Sequence, residues 1–105
     1  MSTPFFTFTP PPHIASPADA RFPLGELAVT RGAFDEVTEN EHADAVLRHV
    51  RGEWAPGLET ATNEAALRAG HPITTIHTSA WSGASFYVIT DGARTRTTIL
   101  LAGES

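Results

Sequence analysis

The residues best suited to chemistry follow one another at the end of the most regular helical pattern: His49, Arg51, Glu53 and Trp54. A histidine can act as a general acid or base, an arginine can clamp a phosphate, and an indole can stack on a ring. A structural role is favoured instead, because His49 and Arg51 would complement the negative end of a helix dipole and Trp54 would anchor the core. Glu53 and Trp54 remain candidate binding residues.

A second group of polar residues lies near the carboxyl end of the chain, at Arg94, Arg96 and Thr98. Two arginines that are two apart in a strand point to the same face, since side chains alternate. Such a pair could form a small anion-binding stripe. More often it is a solvated strand face, on which arginines protect a sheet edge from aggregation.

The histidine spacing and the missing residue types argue against metals and cofactors. The chain has no cysteine and no lysine, which excludes thiolate metal sites, Schiff-base chemistry and a P-loop. None of the histidines forms the i, i+4 pair of a zinc helix; they are His13, His42, His49, His71 and His77. We therefore expect no metal and no cofactor.

Helices followed by an antiparallel sheet that carries histidine, arginine and threonine loosely resemble the small bacterial toxin ribonucleases, which cleave RNA without metal. That resemblance implies a histidine as general acid or base and an arginine that stabilises the pentavalent phosphate. Here these roles would fall to His49 or His77 with Arg51, Arg94 or Arg96. The net charge of −5, from 12 acidic and 7 basic residues, counts against this alternative, because nonspecific nucleic-acid binding needs basic patches.

The elements that must position these residues predict a single α+β domain over residues 22–105. The pattern predicts a strand over 24–30, a short helix capped by Thr30, a helix from Thr38 to Gly52, a helix over 62–69, and strands over 73–79, 84–90 and 94–101. The order is therefore β-α-α-α-β-β-β. The last three strands are expected to form an antiparallel meander with the helices packed on one face.

Residues 1–21 differ from the rest and predict an extended or flexible arm. They hold five of the eight prolines, which favour extended geometry. The apolar residues of this arm are Phe5, Phe6 and Phe8. They could pack on the domain or on a neighbouring subunit as an edge strand, or they could form a docking peptide for another protein.

Charge and hydropathy bound the setting in which the protein works. The acidic residues between 35 and 44 form a patch, and its simpler interpretation is a charged helix face that keeps the protein soluble. The alternative is a surface that imitates DNA, although true DNA mimics carry a denser negative charge than this chain. No apolar run reaches the roughly 18 residues of a transmembrane helix, and the start lacks a signal peptide. We expect a cytoplasmic protein with no membrane contact.

Four segments of the chain resemble one family: residues 22–25, 30–33, 48–54 and 87–101. The sequence is similar there to a family of small, uncharacterised "plasmid-related" proteins of bacterial mobile genetic elements, in which tyrosine often stands at the place of His77. The resemblance implies a genomic context and no particular activity. With the acidic charge and the phenylalanine-bearing arm, it predicts a non-enzymatic accessory protein that acts through protein contacts. Counter-defence is one role open to such a protein, and it could act as a monomer or as a small oligomer. The ribonuclease-like enzyme is the alternative.

Overall fold

The fold is a five-stranded mixed sheet with three helices on one face, an α+β architecture as predicted. The computed structural model describes residues 5–8 and 18–104. The elements are β1 (Phe5–Phe8), β2 (Glu26–Thr30), α1 (Arg31–Glu36), α2 (Glu39–Arg51), α3 (Leu58–Ala69), β3 (Ile73–Thr78), β4 (Ser85–Thr90), β5 (Arg96–Leu101) and a 3-10 turn at Ala102–Glu104.

The helix ends follow local signals in the sequence. Thr30 caps α1 by accepting the amide of Ala33, and Thr38 and Glu41 form the reciprocal capping box of α2. Gly52 ends α2 with a φ of 80°, a conformation that suits glycine. These predictions are confirmed.

Helix α3 begins at Leu58, four residues earlier than expected. The earlier start is stabilised by side chains of its own first turn. Glu59 accepts the amide of Ala55 at 2.9 Å, and the hydroxyl of Thr60 donates to the carbonyl of Ala55 at 2.7 Å. The turn at residues 54–57 is therefore tied directly to the helix that follows it.

The strand order is β1-β2-β5-β4-β3. Strands β3, β4 and β5 form the predicted antiparallel meander, whereas β2 lies parallel to β5. Gly25 permits this pairing, since a Cβ there would lie 2.3 Å from the backbone carbonyl of Thr95. The parallel neighbour was not foreseen, because it joins segments at opposite ends of the domain.

Strand β1 belongs to the segment that the sequence marks as an arm. It pairs antiparallel with β2, with Phe6 opposite Val29, and forms one edge of the sheet. Residues 1–4 and 9–17, with all five prolines of the arm, lie outside the described residues, as do the side chains of Phe5 and Phe8.

The core lies between the helices and the sheet face that carries Phe86, Val88 and Ile99, none of them more than 2% exposed. Helix α2 packs on this face through Val46 and Val50, which are fully buried. Within the described residues, no helix is long and apolar enough to cross a membrane.

The β3 edge of the sheet is covered by α3. The side chain of Asn63 is 2% exposed; it donates to the carbonyl of Thr74 at 2.9 Å and accepts the amide of Thr74 at 3.3 Å. Glu59 accepts the amide of Ile76 at 3.4 Å. Backbone groups of Thr74 and Ile76 that could otherwise pair with another strand are therefore already hydrogen-bonded at this edge.

Candidate functional site

The best catalytic candidate of the sequence, His49, is the centre of a polar chain inside the core. It is fully buried, and both ring nitrogens are bonded: Nδ1 to Thr75 at 2.9 Å and Nε2 to Thr90 at 2.8 Å. Thr90 continues to Thr97 at 2.7 Å, and Thr75 continues to His77 at 2.8 Å. Helix α2 and strands β3, β4 and β5 are thus joined by one network.

The number of available protons determines which group donates in each hydrogen bond on the Thr90 side of His49. The single hydroxyl proton of Thr97 goes to the carbonyl oxygen of Leu24 at 2.8 Å. Thr97 must therefore accept from Thr90, and Thr90 must accept from Nε2–H of His49. The proton on His49 is assigned by this count to Nε2.

The same count of protons determines the donors on the Thr75 side of His49. A neutral His49 with its proton on Nε2 accepts at Nδ1 from the hydroxyl of Thr75, which in turn accepts from Nε2–H of His77. Burial lowers the pKa of His49 to about 3, and the charges of His77 and Arg94 act in the same direction. His49 is a neutral structural hub with no atom open to a substrate.

His77 lies at the outer end of the chain and is half-buried, stacked on Phe86 with ring centroids 5.4 Å apart. Burial lowers its pKa, and the charge of Arg48 adds to this, while Glu59 and Asp44 oppose it. Of the two histidines that the sequence offers as acid or base, His77 alone is partly exposed. Arg51 and Arg94 form their described hydrogen bonds and ion pairs with other groups.

Arg51 and Glu53 form a surface ion-pair group. Arg51 lies 3.0 Å from Asp19 and 3.9 Å from Glu53, and all three side chains are more than a third exposed. Trp54 is buried instead; its indole donates to the carbonyl of His49 at 3.0 Å, and the guanidinium of Arg21 lies 5.2 Å from its ring centre. Of the four neighbouring candidates, His49 and Trp54 thus lie in the core, and Arg51 and Glu53 lie at the surface.

Arg94 and Arg96 do not share a strand, because β5 begins only at Arg96. Arg94 has a φ of 60° in the preceding turn and donates to the carbonyls of His71 and Asp91. Arg96 pairs with Glu26 of β2 at 2.9 Å, and Thr98 is half-buried further along β5. The arginine stripe that the sequence suggested is not formed.

An apolar pocket of about 610 Å³ lies between β1, β2 and the helices α1 and α2. Its floor is formed by Leu27, Val29 and Val46, which also belong to the core. Three exposed aromatic side chains line it: Phe6 at 50%, Phe34 at 61% and Trp81 at 67% exposure. We call this site the aromatic pocket.

The clustering of these rings distinguishes the pocket from ordinary surface. The described residues include five exposed large apolar side chains, and three of them meet here; the other two are Leu58 and Ile76. The rings of Phe6 and Phe34 lie 5.3 Å apart between centroids. Clustered exposed aromatic surface marks interaction sites, whereas single exposed apolar residues are normal.

Trp81 stands on a loop that is held in place by Glu41. The carboxylate of Glu41 accepts the hydroxyl of Ser79 and the amide of Ala80, both at 2.7 Å, while also closing the capping box of α2. Ser79 accepts the amide of Trp81 at 3.2 Å. The exposed indole is thus presented by an ordered loop.

The pocket rim is acidic. Among the described lining residues are Asp35 and Glu39 and no arginine, although Arg31 lies 3.5 Å from Asp35 at the surface. His42 also lines it and donates from Nε2 to the carbonyl of Ala33 at 2.9 Å; burial lowers its pKa. In the described part of the chain no three histidine or carboxylate side chains gather as a metal site would require.

The sequence does not predict this pocket, although Phe6 is one of its candidate binding residues. Ala33, Phe34 and Val37 predict only a short helix, and Ala80-Trp81-Ser82-Gly83 predicts only a loop. The available signal was a tryptophan in the turn Ala80-Trp81-Ser82-Gly83, where a buried anchor is not expected. No family model, curated protein or solved structure matches the chain.

Proposed function

We propose that this chain is a non-enzymatic protein-binding module that uses the aromatic pocket to hold an apolar segment of another protein. One observation carries the proposal: Phe6, Phe34 and Trp81 come from three separate parts of the chain and converge, exposed, on one apolar floor. Rigid aromatic anchors at the centre of a patch dominate the energetics of most protein interfaces.

The bonding of His49 and of the candidate arginines supports the same class of function. His49 has both nitrogens committed within the core, and Arg51, Arg94 and Arg96 are held by carboxylates or backbone carbonyls. An accessory role on a bacterial mobile genetic element is proposed on the sequence resemblance alone.

The test compares variants at exposed apolar positions inside and outside the pocket. Proteins captured from a bacterial lysate by the tagged chain are identified, purified and titrated by calorimetry against the wild type, Phe34→Ala, Trp81→Ala and the controls Leu58→Ala and Ile76→Ala. We expect each pocket variant to weaken binding by at least about 1 kcal/mol, and the controls to bind as the wild type does. A partner that binds all five proteins equally would contradict the proposal.

The ribonuclease-like alternative is tested by growth on induced expression of the wild type and of His77→Ala. Under the proposed function both cultures grow at the same rate. Growth arrest by the wild type that His77→Ala relieves, at equal protein abundance, would favour the enzyme.

A further inference from the structure

We infer that the segment held by the aromatic pocket carries lysine or arginine beside its apolar anchors. This inference rests on the proposed function and adds the chemistry of the partner. Two features carry it: the exposed rings that line the pocket and the carboxylates on its rim, Asp35 and Glu39.

The apolar part of the partner follows from the exposed rings that line the pocket. Leu27, Val29 and Val46 are each no more than 3% exposed, so the apolar surface open to a partner is mainly that of Phe6, Phe34 and Trp81. A volume of about 610 Å³ falls within the ordinary range of ligand pockets, roughly 300 to 1,000 Å³. Aliphatic or aromatic side chains are the groups that gain most from such a site.

The basic part follows from the rim. Asp35 and Glu39 are both exposed. Asp35 forms an ion pair with Arg31 at 3.5 Å, whereas Glu39 forms none with the described side chains. Glu41, in the same first turn of α2 as Glu39, accepts the amide of Thr38 and the hydroxyl of Ser79, and these bonds lower its pKa to about 2. The local field is therefore negative, and like charge in a partner is repelled while lysine or arginine is attracted.

An anionic partner is disfavoured by the way α2 begins. A bare helix N-terminus would attract a carboxylate or phosphate. Here the hydroxyl of Thr38 accepts the amide of Glu41, and the carboxylate of Glu41 accepts the amide of Thr38. The partial positive charge at the N-terminus of α2 is thus already neutralised by the carboxylate of Glu41.

The test is selection from a phage-displayed library of random 12-residue peptides on immobilised wild-type protein, with Trp81→Ala as the counter-selection. The double variant Asp35→Asn/Glu39→Gln is selected in parallel. A charge-matched control, Glu36→Gln/Asp44→Asn, removes two carboxylates of the same acidic patch that do not line the pocket. Circular dichroism melts establish that all variants are folded.

We expect Trp81-dependent peptides with apolar anchors and an excess of lysine and arginine. Synthetic copies should bind the wild type and the control alike, and should lose about fivefold in affinity on Asp35→Asn/Glu39→Gln, as two exposed charge pairs would give. Raising the salt to 0.5 M should narrow that gap.

The other outcomes separate the two proposals. Trp81-dependent peptides with no basic excess, or bound equally by the rim variant, would overturn this inference and leave the proposed function standing. Selection of no Trp81-dependent peptide would overturn both. In that case Trp81-dependent binding of the dye anilinonaphthalene sulfonate would indicate a pocket for small apolar molecules instead.

Discussion

At the scale of single residues, His49 shows how a group suited to catalysis can serve the core. A buried imidazole is costly unless both nitrogens are bonded, and here Thr75 and Thr90 supply one donor and one acceptor. Because each hydroxyl in the chain has one proton, every bond has a single allowed direction. The network therefore specifies how α2 sits on three strands as well as stabilising that packing.

Replacing His49 by phenylalanine should lower the free energy of unfolding by about 3 kcal/mol. The ring volume is largely kept, but the hydroxyl of Thr75 loses its acceptor and Thr90 loses its donor. Glutamine at position 49, which offers one acceptor and one donor, should cost less. Urea denaturation of the two variants checks the order, and a phenylalanine variant as stable as the wild type would contradict the assigned network.

At the scale of elements, Glu41 joins the start of α2 to the loop that carries Trp81. One carboxylate closes a capping box predicted from the sequence and bonds two groups 38 and 39 residues further along the chain. A local helix signal thus also positions a long-range loop. The loop also has bonds of its own, from the amide of Ser79 to the carbonyl of Ala84 and from the amide of Gly83 to the carbonyl of Ser79, and Glu41 ties it to α2.

Glu41→Gln should increase amide exchange at Ala80 and Ser82 and weaken partner binding. The glutamine carbonyl replaces only one of two acceptor oxygens, and its amide group faces the N–H groups that the carboxylate accepted. Residue-resolved hydrogen exchange measures the loop directly. Glu36→Gln, an exposed acid of α1, serves as the control and should leave both amides unchanged.

A second prediction about the elements concerns the β3 edge of the sheet, which α3 covers. Asn63→Ala should destabilise the fold by about 1–2 kcal/mol, because the N–H and carbonyl groups of Thr74 lose their bonds to the buried side-chain amide. It should also promote self-association, since the uncovered edge can pair with another chain. Light scattering and exchange at the amide of Thr74 check this, with Thr62→Ala on the exposed side of α3 as the control. Unchanged exchange at Thr74 would show that Asn63 does not protect the edge.

At the scale of the whole molecule, stability should fall as the solution is acidified from pH 6.5 to 4.5. The folded pKa of His49 lies at about 3, below the ordinary value of 6.5, so the unfolded chain binds the proton first. One such group contributes a slope of up to about 1.4 kcal/mol per pH unit, and the lowered pKa values of His42 and His77 act in the same direction.

The His49→Gln variant separates this contribution from the others. Urea midpoints measured at pH 7, 6, 5.5 and 5 should decline less steeply for the variant than for the wild type. Below about pH 4.5 both should lose stability further, because the pKa of Glu41 is lowered to about 2 and its unfolded form protonates first. Parallel slopes above pH 5 would contradict the buried neutral state of His49.

Much of the fold could be predicted because its signals are local. The Thr38–Glu41 capping box, the Gly52 stop and the strand-forming residues of β4 act over a few residues, where hydrogen bonds and steric limits are decided by neighbours in the chain. The predicted start of α3 was late by four residues, since side chains of Glu59 and Thr60 extend that helix toward Ala55.

The α+β class, the order of helices and strands after residue 22, and the meander could all be predicted from the amino-acid sequence. The parallel pairing of β2 with β5, the burial of His49 and the meeting of Phe6, Phe34 and Trp81 in one pocket are visible only once the chain is folded. Periodicity and helix caps depend on contacts within one or two turns, so the sequence carries them directly. A pocket is formed by surfaces of distant segments, and their relative positions follow from the packing of the whole core.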